Sequence, residues 1–405
     1  MRVTLLAQLG TGSGGIETVV IGLAAGLSTL TDADDEYVFL TLEGHDDWLR
    51  PYASGPCRVV SVPSPGPWPN PEAEPLPGSV RRAARLAPGV EGLYRRFRPP
   101  YGPAPSTGIA ERLGADVMHF PYQAGFLTDI PSIYQPHDLQ HLHLPQFFDS
   151  VEIRRREVTY RRLCRQASVV VVETDWIRDD VVAQYGLAPD KVAVVPFAPI
   201  LDRFPVLAPD ELARVRDALG LPEAFVYYPA QLWPHKNHVN LLRALASLRR
   251  AGTVVPVVFS GVLDEGYHPG LVREAADLGI TDQVHWVGFV SQAEVRALYS
   301  MARAVVIPTL YEAASMLLWE AFQAGVPAAT SNVTSLPEQA GDAALVFDPY
   351  DVDQIADAVR RLWIDDELRR ALVAKGTQRI ADLSWSRTAR LYREQYRRVA
   401  AGRPR

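Results

Sequence analysis

The chain has 405 residues, 47% hydrophobic and 22% charged, with a net charge of -6, an ordinary globular composition that suggests two or three domains with substantial cores. The acidic balance gives no general argument for nucleic acid or an anionic membrane, and no apolar run approaches the ~20 residues a membrane helix needs. Cys57 and Cys164 are the only cysteines and lie far apart, which argues against a disulfide framework or a Cys-based zinc site; with no signal-peptide pattern at the N-terminus, the simplest expectation is a soluble, reduced, cytoplasmic protein.

The first half alternates strand-like and helix-like runs. VTLLAQL leads into Gly10-Thr11-Gly12-Ser13-Gly14-Gly15-Ile16-Glu17 and an amphipathic Ile16–Leu30; then come YVFLTL, RVVSV, DVMHF and PSIYQP, a helical Glu152–Gln166, SVVVVET and KVAVVPF. Alternation of this kind predicts a parallel, doubly wound sheet. Residues 62–105 break the pattern with 12 of the 33 prolines and with Arg81, Arg82, Arg85, Arg95, Arg96 and Arg98. This excursion is either solvated or an acceptor-binding lid whose arginines, Arg95 and Arg96 among them, meet a phosphate or a lipid pyrophosphate. Peripheral membrane contact through it stays open. Pro196 to Pro209, with four prolines, reads as an interdomain linker. A second alternating series follows: AFVYYPA, VVPVVFS, QVHWVGF, RAVVIPT, VPAAT and ALVFDP, with a helical Arg387–Arg398 at the end.

The glycine loop sits where backbone can approach a phosphate at a helix N-terminus. Its spacing is not the G-x-G-x-x-G of dinucleotide binders, and a tight turn without a ligand explains it about as well. Ile133-Tyr134-Gln135-Pro136-His137-Asp138 ends a first-domain strand, where ligands of α/β sheets collect. His137, His141, His143 and Asp138 also invite a metal reading, disfavoured because no regular ligand signature follows. Tyr228-Pro229-Ala230-Gln231-Leu232-Trp233-Pro234-His235-Lys236-Asn237 leads to a helix over Val239–Arg250; Asn237 is its expected N-cap, and Lys236 adds a point charge at an anion-friendly end. Only Lys191, Lys236 and Lys375 are lysines among 41 basic residues. Glu312 and Glu320 flank the start of a helix predicted over Met316–Ala324, whose free amides can hold an anion.

The E-x7-E spacing, Ala324-Gly325-Val326-Pro327 and the run Ser335-Leu336-Pro337-Glu338-Gln339-Ala340-Gly341-Asp342-Ala343-Ala344 resemble the C-terminal half of retaining glycosyltransferases of family four, the group 1 glycosyltransferases. The resemblance implies a GT-B fold: two Rossmann-like, doubly wound parallel-sheet domains facing across a cleft. On that plan residues 1–198 form the acceptor domain, 199–385 the donor domain, and 386–405 a helix that crosses back to the first. It implies a retaining hexosyltransferase of glycan or glycoconjugate biosynthesis, using a nucleotide-diphosphate sugar and a glycan, lipid-linked or small-molecule acceptor.

The resemblance also assigns roles. Glu312, Lys236 and His137 become the catalytic group, with Glu312 on the donor sugar, Glu320 on the ribose and Lys236 on the diphosphate. Gly14, Gly15, Gln231, Ala314, Ser315 and Met316 join the donor site, while Asp138, Arg95 and Arg96 are acceptor candidates. No metal or other cofactor is required where fixed cationic groups take the leaving charge. The chain departs from the family at Gln231, where many members have Arg, and at Ala313-Ala314-Ser315, where Gly-Phe-Gly is usual. Two rival readings stay open: a GT-B nucleotide-sugar epimerase, and a degenerate nucleotide-sugar-binding protein.

Overall fold

The computed structural model describes residues 1–9, 14–63 and 102–402, in two compact units. Unit 1 comprises Met1–Glu173, Arg178–Val195 and Trp385–Arg405; unit 2 comprises Thr174–Ile177 and Pro196–Ser384. Arg95, Arg96 and Gly10 to Ser13 lie outside the described residues.

Unit 1 is built on a seven-stranded sheet. Its strands are β1 (Arg2–Leu6), β2 (Glu36–Leu42), β3 (Cys57–Val62), β4 (Val117–Phe120), β5 (Ser132–Tyr134), β6 (Val169–Val172) and β7 (Val192–Val194). They run parallel in the order β3-β2-β1-β4-β5-β6-β7. The short runs Val117–Phe120 and Val169–Val172 are buried at every position, as expected of parallel strands covered on both faces. The chain reverses direction across the sheet between β1 and β4, and ligand-binding residues of such folds gather beyond the carboxyl ends there.

One covering layer is the C-terminal helix Trp385–Ala401, which packs on the first helix, Gly15–Leu27. The sequence admits this because Gly22 and Gly26 face it. A methyl at Gly22 would overlap the Trp385 indole, and one at Gly26 would overlap the Trp385 backbone carbonyl. Tyr392 and Tyr396 then reach the central strands of the sheet: Tyr396 Oη lies 2.9 Å from His119 Nδ1, and Tyr392 Oη donates to Gln135 Oε1 at 2.9 Å.

Unit 2 holds a six-stranded parallel sheet of the same winding. Its strands are β8 (Val226–Pro229), β9 (Val257–Ser260), β10 (Val284–Gly288), β11 (Ala304–Ile307), β12 (Ala328–Ser331) and β13 (Ala344–Phe347), in the order β10-β9-β8-β11-β12-β13. The reversal falls between β8 and β11, so the loops that follow these two strands lie side by side. Thr174–Ile177 clusters with this unit because the amides of Asp175 and Trp176 both donate to the Glu338 carboxylate, each at 3.0 Å. Among the described residues, no helix is long and apolar enough to cross a membrane.

Candidate functional site

In unit 2, backbone bonds bring the loop after β8 to the loop after β11. Leu310 N donates to His235 O at 2.7 Å, and Thr309 Oγ1 donates to the same oxygen at 3.2 Å. Tyr228 Oη donates to Lys236 O at 3.0 Å, which fixes the short turn Pro234–Lys236 from below. Asn237 stands at the N-cap of the next helix, as expected, but without a side-chain cap bond. Its backbone is left-handed (φ 58), and Nδ2 instead donates to Pro308 O at 2.9 Å and Pro349 O at 2.8 Å. Asparagine tolerates that backbone region better than most residues, and joining two loops uses both of its amide donors.

With the loops held, Lys236 Nζ lies 2.5 Å from Glu312 Oε1, and both side chains are largely buried, at 15% and 12% exposure. Glu312 is itself clamped. Its amide donates to Thr334 Oγ1 at 3.1 Å, and its carbonyl accepts from Thr334 Oγ1 at 2.6 Å and Ser335 Oγ at 2.9 Å. Lysine has three donors, of which one is spent on Glu312.

The helix Met316–Gln323 begins three residues beyond the half-buried Ala313, and its first amides have no acceptor within the helix. Ser315 is expected to offer its amide to a phosphate or sugar oxygen. That amide instead donates to Gln339 Oε1 at 2.7 Å, since the helix Leu336–Ala340 brings the Gln339 side chain against it. The half-buried Ala314 and Met316 sit at the helix start beside it. Glu320, one turn on, is buried, and Tyr299 Oη donates to its Oε2 at 3.0 Å. Burial pushes its carboxyl up to about 7, against the smaller opposing pull of the Tyr299 bond. Gln231 is half-buried in the turn after β8, where its carbonyl accepts from Trp233 N at 2.8 Å. Lys236, Glu312, the helix start and Glu320 are therefore gathered at one end of the unit 2 sheet.

Unit 1 places its candidates at the carboxyl ends of its own strands. Gly14 stands at the N-terminus of the first helix with φ 59, and Gly15 is exposed with no atom within 4 Å of where a Cβ would sit. His137 follows β5 in a left-handed conformation (φ 60) and is buried. Its Nδ1 lies 2.7 Å from Glu173 Oε1 and its Nε2 3.0 Å from Pro121 O. Burial works against its charged form, but the Glu173 carboxylate outweighs this and holds the imidazole above its usual range. Half-buried Asp138 accepts from Gln140 N at 3.0 Å. His141 and His143 pair separately, with Glu157 at 3.0 Å and Asp180 at 2.9 Å.

Several partners escape a reading of the sequence. Glu173 follows a Val run that reads only as strand, and Tyr299 lies in an unremarked helix. Thr334 precedes, and Ser335 and Gln339 fall within, a run quoted above only for its resemblance.

The matches to known proteins agree with this architecture. Residues 14–198 match the family described as glycosyl transferase 4-like domain, and residues 211–379 match glycosyl transferases group 1. The chain is 28% identical over 252 residues to O-antigen chain mannosyltransferase B of Escherichia coli, a match covering 62% of this chain and 65% of that protein. It is 28% identical over 426 residues to D-inositol 3-phosphate glycosyltransferase of a Nocardioides species, covering 98% of this chain and 88% of that one. Among solved structures it is similar to Anabaena HepE in complex with UDP and glucose, with a TM-score of 0.69 at 18% identity, covering 98% of this chain and 100% of that one. Two doubly wound parallel sheets and two adjoining family matches that together span most of the sequence have one reading: the chain belongs to the group 1 glycosyltransferases and has the GT-B fold.

Proposed function

We propose that the protein transfers a glycosyl group from a nucleotide-diphosphate sugar to a hydroxyl of a glycan or similar polyhydroxylated acceptor, with retention at the anomeric carbon and without a metal. The observation that carries this reading is the Lys236–Glu312 pair beside the start of the helix Met316–Gln323. Unit 2 takes the donor. The Lys236 ammonium and the first amides of that helix meet the negative charge that grows on the departing diphosphate. Glu312 accepts from hydroxyls of the sugar, and Glu320, when ionised, accepts from the vicinal hydroxyls of the ribose. Gln231 contributes a neutral amide where a second cation would otherwise help, so Lys236 and the helix amides carry the larger share.

Unit 1 takes the acceptor, with Asp138 and the strand ends around His137 as its floor; Gly14 and Gly15 bring the backbone at the start of the first helix within reach of a phosphate. The names of the relatives support a polyhydroxylated acceptor: one is an O-antigen chain mannosyltransferase, another a D-inositol 3-phosphate glycosyltransferase. The leaving phosphate itself takes the acceptor proton, so no separate carboxylate base is assigned.

The test is thermal stabilisation of the purified protein by UDP, GDP, ADP and TDP sugars in the presence of EDTA. It is followed by a product assay with saccharide and inositol phosphate acceptors. Stabilisation by one nucleotide sugar and a new glycoside of unchanged anomeric configuration support the reading. Conversion of donor without any acceptor would replace transfer by epimerisation. Donor binding with neither hydrolysis nor transfer would leave a binding protein.

A further inference from the structure

His137 lies between the Glu173 carboxyl, which as a carboxylate can only accept, and the Pro121 carbonyl, which accepts in any state. Glu173 Oε1 faces Nδ1 at 2.7 Å, and the Pro121 carbonyl faces Nε2 at 3.0 Å. A neutral imidazole carries one N–H and one lone pair, so beside a carboxylate either tautomer would turn a lone pair toward an oxygen. With Glu173 ionised, only the doubly protonated ring satisfies both contacts. His119, on neighbouring β4, contrasts with it. Its Nδ1 meets the Tyr396 hydroxyl, which can donate, and full burial lowers its pKa to about 3, so it is neutral.

Glu173 is fixed in turn. Gln135 Nε2 donates to the same Oε1 at 2.7 Å, and Tyr392 Oη donates to Gln135 Oε1 at 2.9 Å. Glu173 is 2% exposed, and its other oxygen has no hydrogen-bond partner among the described residues. A carboxyl buried in this way stays ionised only with a cation beside it. The left-handed backbone of His137 is a further cost that the surrounding structure sustains, as is common where a side chain must be aimed.

We propose that Glu173 is a positioning residue that locks the His137 ring and keeps it as an imidazolium, so that the end of β5 carries a fixed ion pair and not a proton shuttle. Among the described residues, the groups that face the ring include Glu173 beyond β6, the Pro121 carbonyl beyond β4, neutral His119 on β4 and Asp138 on the same segment. Tyr392 of the C-terminal helix acts on Glu173 through Gln135. Glu173 and Asp138 both favour the charged ring, and burial opposes it. The role in turnover rests on the transferase reading; the charge state does not.

The experiment uses the full chain with nitrogen-labelled histidine, of which there are nine, and long-range proton–nitrogen correlation spectra from acid to mildly alkaline pH. His137 is assigned by its loss in His137→Gln. The expected wild-type spectrum shows both His137 nitrogens protonated at neutral pH, with deprotonation only above it. Glu173→Gln, which keeps the shape and an acceptor, should give a single N–H tautomer at neutral pH, and Glu173→Asp should recover part of the wild-type signal. A bare ring nitrogen in the wild type at neutral pH overturns the proposal, and so does an imidazolium that survives in Glu173→Gln. The wild-type spectrum decides even if that variant fails to fold. In the transfer assay, Glu173→Gln should lower kcat by up to about 100-fold, with a smaller change in KM, and move the pH profile to lower pH. An intact imidazolium in a protein without transfer activity would refute the transferase reading and leave this inference standing.

Discussion

Lys236 Nζ stands 2.5 Å from Glu312 Oε1, so the ammonium carried by the β8 loop is aimed by the carboxylate carried by the β11 loop. If the two act as one unit, Lys236→Ala and Glu312→Ala should each lower turnover by about 100- to 1,000-fold. The double variant should be little worse than either single one. Losses that multiply across the pair would show two independent contributions. Lys236→Arg should restore only part of the rate, because a planar guanidinium cannot place a compact charge in the same space.

Glu320 gives the fold a pH signature. Its carboxyl ordinarily titrates at 4.5, and burial in the fold raises this to about 7. The folded protein therefore holds this proton more tightly than the unfolded chain does. The resulting stability is fully present below about 4.5 and is lost as pH rises to about 7. The difference is on the order of 3 kcal/mol. Denaturation midpoints of wild type and Glu320→Gln should converge at the acid end and separate above it, with the Gln variant the more stable. On the proposed ribose role, donor affinity should run the other way and rise through the same window in the wild type alone. Parallel stability curves for the two proteins would contradict the buried, protonated carboxyl.

Asn237 supplies a backbone test and a bonding test at one position. Replacement by Ala removes the donors to Pro308 O and Pro349 O and puts a Cβ-bearing, non-tolerant residue at φ 58. Loss of the buried bonds should cost about 1–3 kcal/mol each. Asn237→Gly loses the same bonds but accepts the backbone, and should be about 1 kcal/mol less damaging than Ala. Urea unfolding of the three proteins measures this. Equal effects for Gly and Ala would show that the left-handed backbone contributes nothing.

Gly22 and Gly26 distinguish side-chain from backbone crowding. Gly22→Ala overlaps the Trp385 ring, which should cost about 1–3 kcal/mol and be relieved in part by Trp385→Ala. Gly26→Ala meets the Trp385 carbonyl, which no side-chain change removes, so the same second substitution should not rescue it. Thermal unfolding of the four variants decides; rescue of both glycines alike would place the crowding elsewhere.

Much of the fold is legible in the sequence because parallel strands are short, apolar and regularly separated. Among the described residues, each of the thirteen strands lies within a run that reads as strand-like, or overlaps it with at most a residue beyond. Helix limits shift slightly, as with the C-terminal helix, which begins at Trp385 and not at Arg387. The position of Lys236 and Glu312 in strand-end loops and of Glu320 a turn into a helix is equally readable. Their partners are not. That Ser315 spends its amide on Gln339, or that Asn237 joins Pro308 to Pro349, depends on how three loops pack in space. Periodicity records which face of an element is buried, and it carries no information about which amide a distant side chain will reach. Glu173 is the clearest case, since one acidic residue after a Val run looks like the end of a strand until His137 is placed beside it.

The helix Trp385–Ala401 closes over a sheet whose last strand ends at Val194. A ribosome finishes that sheet long before it makes the helix. At roughly 5–20 residues per second, synthesis of residues 196–384 takes on the order of 10–40 s. For that interval the grooves at Gly22 and Gly26, His119 Nδ1 and Gln135 Oε1 have not met their partners. The nascent first unit is then an unfinished surface, and a chaperone that shields it during those seconds should raise the yield of the whole chain. A separately supplied peptide of the last helix should serve the same end.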